Sequence, residues 1–166
     1  TIAVVPQLQH SARISSSLIR DDLQHGRLQD AAAKLGRAYA LEGKVVRGKQ
    51  LGRTLGYPTA NIRFRGKKPA LLGIYATWVH GVGEQAIASV SSVGTRPTVK
   101  GVEPLLEAHL FDFDGDLYGK KIRVEFIEKL RDEVKFDGLD ALVIQMNQDA
   151  EQARAILARQ ILGECA

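Results

Sequence analysis

The chain has 166 residues, 45% of them hydrophobic and 25% charged, which fits one folded domain of ordinary size and excludes wholesale disorder. Its single cysteine, Cys165, excludes an internal disulfide framework and a cysteine-based zinc site. The net charge of +4 is uneven, because residues 43–100 carry ten basic residues and one acidic residue. Such a section favours an anionic partner, a nucleotide or a nucleic acid, unless the acidic C-terminal section neutralises it within the fold.

The first 38 residues are predicted to be helical. The serines at 15–17 offer helix N-caps before an apolar stripe, and Gly26 would end that helix. A second short helix is predicted over residues 28–35 and ends at Gly36. The pattern that follows is different in kind.

From about residue 40 to residue 131 the pattern indicates strands. Apolar or alternating runs occupy residues 45–46, 74–79, 86–93, 105–113 and 122–126. Turn residues separate them, at Gly81–Gly83, at Gly94 with Pro97, and at Asp114–Asp116. Several short strands with no helices between them favour an antiparallel barrel or sandwich.

The last section is predicted to be one helix that packs against the β-structure. Apolar residues recur there at steps of three and four, namely Leu139, Leu142, Met146, Ala150, Ala153, Leu157 and Ile161. Asp137 or Asp140 could cap its start.

The densest chemical feature is a basic, glycine-rich run. Gly43, Gly48, Gly52 and Gly56 lie within fourteen residues and are interleaved with Lys and Arg. Glycines let backbone N–H groups approach a polyanion, which is typical of a phosphate-binding loop. A long glycine-rich hairpin with exposed basic residues would produce the same pattern.

The run ends in a proline that favours an extended chain. Beyond Pro58, Thr59 and Asn61 are two residues apart and would point to the same face. Their hydroxyl and amide oxygens are hard, neutral ligands that suit a Mg²⁺ ion shared with a phosphate. An Asx or Ser/Thr turn after the proline is the alternative.

Glu107 is the carboxylate of most interest. On a strand it would share a face with Leu105, His109, Phe111 and Phe113, where it could act as a general base. The alternative is a solvated barrel position or a partner of one of the basic residues. Downstream, the loop after the last strand could bring Arg131 and Phe136 to a ligand, although such a run is more often a solvated loop.

Together these segments resemble the riboflavin kinase module of prokaryotic bifunctional riboflavin kinase/FMN adenylyltransferases. The resemblance covers about residues 39–157 and is carried by Gly43–Gly48, Leu51–Asn61, Gly73–Ala76, Ser92–Thr98, Leu106–Leu110 and Asp116–Gly119. It implies a mainly β fold: a six-stranded antiparallel Greek-key barrel with a C-terminal helix and a short helical N-terminal lead. Residues 1–38 would be the helical end of the adenylyltransferase domain with its linker, and residues 39–166 the riboflavin kinase domain.

The resemblance also implies an activity, the transfer of the γ-phosphate of ATP to the ribityl 5′-hydroxyl of riboflavin, which gives FMN and ADP. Glu107 matches the catalytic base, and Thr59 and Asn61 match the ligands of Mg²⁺–ATP. Tyr57 and Arg131 would lie near the flavin. The nucleotide-binding positions would be Gly48, Gly52, Arg53, Gly56, Pro58, Thr59 and Asn61. The His-x-Gly-His motif of the adenylyltransferase domain is absent from the sequence, so FMN adenylylation is not expected.

The expected partners are therefore riboflavin or FMN, ATP or ADP, and the adenylyltransferase domain of a longer chain. No apolar run approaches the roughly 20 residues of a membrane span, so no membrane partner is expected. No signal peptide is visible, which favours the cytoplasm. Two rival functions stay open: a basic barrel that binds nucleic acid without catalysis, and a flavin carrier without phosphoryl transfer. Nucleic-acid binding is not expected, because residues 43–68 offer only Tyr57 and Phe64 for base stacking.

Overall fold

The computed structural model describes residues 8–9, 12–48, 51–64, 69–98 and 101–163. In chain order the elements are β1 (Leu8–Gln9), β2 (Ala12–Arg13), α1 (Ser16–Gln24), α2 (Leu28–Leu35), β3 (Ala40–Val46), α3 (Leu51–Thr54), β4 (Ala60–Phe64), β5 (Gly73–His80), β6 (Ile87–Thr98), β7 (Gly101–Leu110), β8 (Lys121–Arg131) and α4 (Leu139–Gly163). The short strands β1 and β2 pair with each other, apart from the main sheet.

The main sheet is a closed barrel with the strand order β3-β4-β7-β6-β5-β8, and every pairing in it is antiparallel. Strands β5, β6 and β7 are consecutive neighbours, and β8 returns to lie beside β5, which is the arrangement of a Greek key. The predicted six-stranded antiparallel Greek-key barrel is therefore confirmed.

Alternation along the strands fills the interior of the barrel. On β7, Leu106 and Ala108 are fully buried, whereas the intervening residues are only half-buried. Tyr75 of β5 and Phe126 of β8 are the largest fully buried side chains, and their rings meet edge to face with centroids 5.3 Å apart. The outer faces of the strands are thus left for the helices and for ligands.

Helices α1 and α2 pack onto this core. Leu23, Leu28 and Ala31 are buried in the same cluster as the barrel interior. The side chain of Ser15 accepts a hydrogen bond from the backbone N–H of Leu18, and Gly36 ends α2 with a φ of 70°, as predicted. The N-terminal helices are therefore folded against the barrel, while the proposed domain boundary at residues 38–39 stays a prediction.

Helix α4 covers part of the outside of the barrel. Ala150, Ala153 and Leu157 are buried against Ala76 and Phe111. The predicted apolar stripe is not buried at its two ends, where Leu139 and Ile161 are 55% and 54% exposed. No helix in the described part of the chain is long and apolar enough to span a membrane.

Two strand boundaries differ from the sequence analysis. The turn predicted at Gly94 with Pro97 lies inside β6, because β6 and β7 continue as a hairpin past their other neighbours. A proline fits there, because it has no N–H to donate and the outer side of the hairpin needs no donor for a ladder hydrogen bond. The strand predicted over residues 105–113 ends at Leu110, and the chain turns away through Asp112, which has a φ of 53°.

Replacing Leu23 with alanine tests whether the N-terminal helices belong to the cooperative unit. Leu23 is 1% exposed, so we expect a loss of about 2–5 kcal/mol in the free energy of unfolding. The control is Leu18→Ala in the same helix, at a side chain that is 45% exposed, with an expected change of about 0.5 kcal/mol or less. Denaturant titration measures both, and equal small effects would show that these helices unfold separately.

Candidate functional site

The pairing of β4 with β7 brings two predicted site residues together. Asn61 lies directly opposite Glu107, and Glu107 is in turn opposite Ser92 of β6. Directly opposed residues in an antiparallel pair have Cβ atoms about 4.5–5.5 Å apart. The amide of Asn61 and the carboxylate of Glu107 therefore stand side by side on one face of the barrel wall.

This face opens into a cavity of about 420 Å³, which we call the Glu107 cavity. It lies between the barrel wall, the glycine-rich loop and α4. Six of the predicted residues line it, namely Gly52, Tyr57, Thr59, Asn61, Glu107 and Arg131. A carboxylate, a hydroxyl, an amide and a guanidinium thus share one space, although they come from three separate segments, at the start of β4, on β7 and at the end of β8.

The other walls of the Glu107 cavity are mainly apolar. The barrel contributes Ile74, Val90 and Leu105, and α4 contributes Leu142 and Met146. The ring of Phe136, from the loop after β8, also lines it, as the sequence analysis suggested. Apolar walls with a few polar groups are typical of a small-molecule site.

Glycines bring the loop close to the barrel. A Cβ added at Gly48 would overlap the side-chain amide of Asn61, and one added at Gly52 would overlap the carbonyl oxygen of Tyr57. The Gly52 carbonyl accepts hydrogen bonds from the N–H groups of Leu55 (3.1 Å) and Tyr57 (2.8 Å), which closes the single turn of α3. The sequence analysis did not anticipate this helical turn.

The Glu107 cavity gives no support to the predicted roles of two loop residues, Gly56 and Arg53. Gly56 has a φ of 81°, which only glycine adopts readily, and it lines neither cavity described here. The side chain of Arg53 lies outside the described residues, so its nucleotide-binding role stays a prediction.

Tyr57 and His109 hold the segment before Thr59. The Tyr57 hydroxyl donates a hydrogen bond to the side-chain oxygen of Asn147 on α4, and its ring lies 4.9 Å from that of His109, centroid to centroid. The His109 Nδ1 atom is 2.9 Å from the carbonyl oxygen of Pro58. Because a carbonyl only accepts, this Nδ1 carries the hydrogen. The backbone beside Thr59 is thereby fixed to β7 and to α4.

A second cavity, of about 630 Å³, lies on the other side of Thr59, and we call it the Asp114 cavity. It is lined by Val45, Pro58, Thr59 and Ala60 together with Leu110 and residues 113–118. Among the described residues, Thr59 alone lines both cavities. The two spaces therefore meet at its side chain.

The expected sharing of a face by Glu107, Phe111 and Phe113 is wrong. The strand ends before Phe111, whose ring is buried beneath α4, and Phe113 lines the Asp114 cavity. Leu105 and His109 do line the Glu107 cavity, because they lie within β7.

Sequence reasoning missed two acidic residues of the Glu107 cavity. Glu133, in the loop after β8, has its carboxyl against Gly94, where partial burial raises the pKa and the nearby Arg131 partly offsets this. Asp149 of α4 is buried and paired with Arg131. Glu133 lies between Arg131 and Phe136, and Asp149 lies next to Ala150, all residues that had been singled out. An acid beside an apolar stripe or in a charged loop nevertheless looks like a solvated residue.

Neutral oxygens are the candidate metal ligands here. Within the described ranges no three His, Cys, Asp or Glu side chains cluster in a way that could hold a metal ion. The Thr59 hydroxyl and Asn61 amide remain, a donor set that fits a hard cation shared with phosphate oxygens and water.

Comparison with known proteins points to one family. A family model described as riboflavin kinase matches residues 35–157. The chain is 43% identical to the bifunctional riboflavin kinase/FMN adenylyltransferase of Haemophilus influenzae and 44% identical to that of Escherichia coli K12, over 86% of this chain in each case. The matches cover 46% and 45% of those proteins, so the chain spans about half the length of these relatives.

Solved structures match the same fold. A Streptococcus pneumoniae protein described as a macrolide-efflux protein superimposes with a TM-score of 0.80 at 36% identity, over 91% of this chain and 50% of that one. The riboflavin kinase of Trypanosoma brucei superimposes with a TM-score of 0.55 at 24% identity, over 75% and 80% of the two chains. The second likeness supports the fold alone.

Replacing Gly48 with alanine tests the close approach of the loop to Asn61. The added methyl would overlap the Asn61 amide, so we expect a loss of about 1–3 kcal/mol in stability and a shift of the Asn61 side-chain NH₂ resonances. The control is Gly83→Ala, where a Cβ meets nothing within 4 Å. Thermal unfolding and ¹H–¹⁵N spectra measure both effects, and an unmoved Asn61 signal in Gly48→Ala would contradict the packing.

Proposed function

The chain belongs to the riboflavin kinase family, and from this premise we propose that it transfers the γ-phosphate of ATP to the 5′-hydroxyl of riboflavin, giving FMN and ADP. The observation that carries the proposal is the shared cavity of Thr59, Asn61 and Glu107. An acid that can accept a proton there faces two oxygens that suit a phosphate-bound cation.

The two cavities suggest which substrate goes where. The Glu107 cavity has apolar walls and the candidate base, so it suits the flat ring of riboflavin with the ribityl hydroxyl at Glu107. The Asp114 cavity is then left for the nucleotide. Since the cavities meet at Thr59, the γ-phosphate would lie at this junction, in reach of the hydroxyl.

The proposed chemistry needs one proton acceptor. The carboxylate of Glu107 takes the proton of the 5′-hydroxyl as the oxygen bonds to the γ-phosphorus, and the bond from that phosphorus to the ADP oxygen breaks. The protein otherwise positions the reactants and offsets charge.

Thr59 and Asn61 are the proposed Mg²⁺ ligands. These two oxygens would hold the ion beside the phosphates of ATP, where it would offset their negative charge. The contact between the backbone of Gly48 and the Asn61 side chain supports this assignment, because it restricts where the amide oxygen can point.

The remaining predicted residues have supporting roles in the proposal. Gly48, Gly52 and Gly56 would shape a loop that reaches the γ-phosphate from the side of the Glu107 cavity, which Gly52 lines, Arg53 would add charge, and Pro58 lines the Asp114 cavity. Tyr57 and Arg131 line the Glu107 cavity and would contact the flavin.

The origin of the N-terminal residues and the place of the reaction are also proposed. We propose that residues 1–38 derive from the end of an adenylyltransferase domain, which the relatives' names include, and that the reaction takes place in the cytoplasm.

Incubating the chain with riboflavin, ATP and Mg²⁺ should yield FMN. FAD should not form, because the sequence has no His-x-Gly-His motif. Liquid chromatography separates the two flavins, and a parallel reaction with EDTA should yield neither. A chain that binds riboflavin but makes no FMN would be a carrier, and the proposal would fail.

Replacing Glu107 with glutamine removes the proposed base and preserves the side-chain volume. We expect kcat to fall about 10²–10⁴-fold while riboflavin affinity, followed by flavin fluorescence, stays within a few-fold. The control is Glu128→Gln, which neutralises an exposed carboxylate on β8 and should leave kcat unchanged. Full activity in Glu107→Gln would remove the base from the mechanism.

A further inference from the structure

A buried, bidentate ion pair at the Glu107 cavity joins the barrel to α4. Arg131, the last residue of β8, donates from Nε and Nη2 to the carboxylate of Asp149, at 2.9 Å to Oδ1 and 2.6 Å to Oδ2. The Asp149 side chain is 7% exposed and that of Arg131 is 20% exposed. Two parallel charge-assisted hydrogen bonds fix the plane of a guanidinium as well as its position.

Two further contacts hold this pair in place. Gln145, one turn earlier on α4, donates from Nε2 to Asp149 Oδ1 at 3.0 Å. The guanidinium carbon of Arg131 lies 5.7 Å from the centroid of the Phe136 ring, and both side chains line the cavity. The Asp149 carboxylate is therefore held by Gln145 as well as by Arg131, and the Arg131 guanidinium lies against Phe136. These contacts restrict the movement of the pair.

The Arg131 guanidinium keeps some of its N–H donors for a ligand. A guanidinium has five N–H bonds. Within the described chain, Nε and one Nη2 hydrogen bond to Asp149, and Nη1 donates to the backbone oxygen of Asp132 at 2.9 Å. One N–H on each of Nη1 and Nη2 remains, on a side chain that lines the Glu107 cavity.

We propose that Asp149 is a positioning residue for the flavin: it fixes the orientation of Arg131 so that the two remaining N–H groups meet acceptor oxygens of riboflavin. This inference rests on the proposed function. A buried carboxylate needs its cationic partner, so the pair stays formed when the cavity is empty, and Arg131 needs no reorganisation when the flavin binds.

The test is Asp149→Asn, which preserves the shape of the side chain and removes its charge. The dissociation constant and KM for riboflavin should rise about tenfold or more, while KM for ATP stays within about twofold. Flavin fluorescence gives the binding constant without turnover.

The control is Asp112→Asn. Asp112 also pairs with an arginine of α4, through two hydrogen bonds from Arg154 at 2.7 and 3.0 Å, but it lines neither cavity. Asparagine tolerates the left-handed backbone there, so this variant weakens another ion pair of α4, an exposed one with the segment after β7. Its riboflavin affinity should match that of the wild type.

A double variant separates positioning from a purely structural role. If Asp149 acts through Arg131, then Arg131→Lys with Asp149→Asn should bind riboflavin no more than about twofold more weakly than Arg131→Lys alone. Additive losses, an equal rise in KM for ATP, or wild-type riboflavin affinity in Asp149→Asn would each overturn the inference.

A second variant covers the case in which Asp149→Asn does not fold. If Asp149→Asn does not fold, Gln145→Met removes only the supporting hydrogen bond, and it should weaken riboflavin binding two- to fivefold; an unchanged affinity would overturn the inference. If the wild type neither binds riboflavin nor makes FMN, the proposed function fails and this inference fails with it. If the wild type makes FMN and Asp149→Asn keeps the riboflavin affinity of the wild type, the inference fails and the proposed function stands.

Discussion

The pairing of β4 with β7 is the interaction on which the site depends. These strands are separated by two others in the chain, and closure of the barrel brings them together. Their register sets Asn61 against Glu107 and leaves Leu106 and Ala108 in the core. Because side chains alternate between faces, a slip of one residue would turn Glu107 into the apolar interior and expose two core residues to water. The same hydrophobic pattern that stabilises the barrel thus determines where the polar groups stand.

Helix α4 completes what the barrel begins. The wall that carries Glu107 is open on its outer side, and α4 supplies Leu142, Met146 and Asp149 across the space. Its buried residues, such as Ala153 and Leu157, pack against β-structure beyond the cavity. The helix is therefore held by apolar packing and can offer polar groups to neighbouring loops, among them Asn147 to Tyr57. Packing and site geometry therefore come from successive segments of one face of the helix.

The residue pattern indicated an antiparallel barrel or sandwich with flanking helices, because strand alternation and glycine positions are local features. The six-stranded barrel and the roles of Thr59, Asn61 and Glu107 were implied by the resemblance to the riboflavin kinase family. The positions of Phe111 and Phe113 were wrong because a left-handed turn at Asp112 has no strong local signal. The β6 boundary was wrong because pairing with β7 outweighs the turn preference of Gly94 with Pro97. Asp149 was missed because its partner is set by tertiary packing, which no spacing in α4 reveals.

The hairpin of β6 and β7 has a consequence for the behaviour of the protein in concentrated solution. Barrel closure removes free strand edges, yet this hairpin extends beyond the paired parts of β4 and β5, and no strand in the described part of the chain pairs with the outer sides of the extension. Such an edge is a template for aggregation. Pro97 and Pro104 each lack a backbone donor in this extension, one on either strand. An incoming chain would therefore find an interrupted ladder on each side, so the prolines guard against intermolecular strand addition.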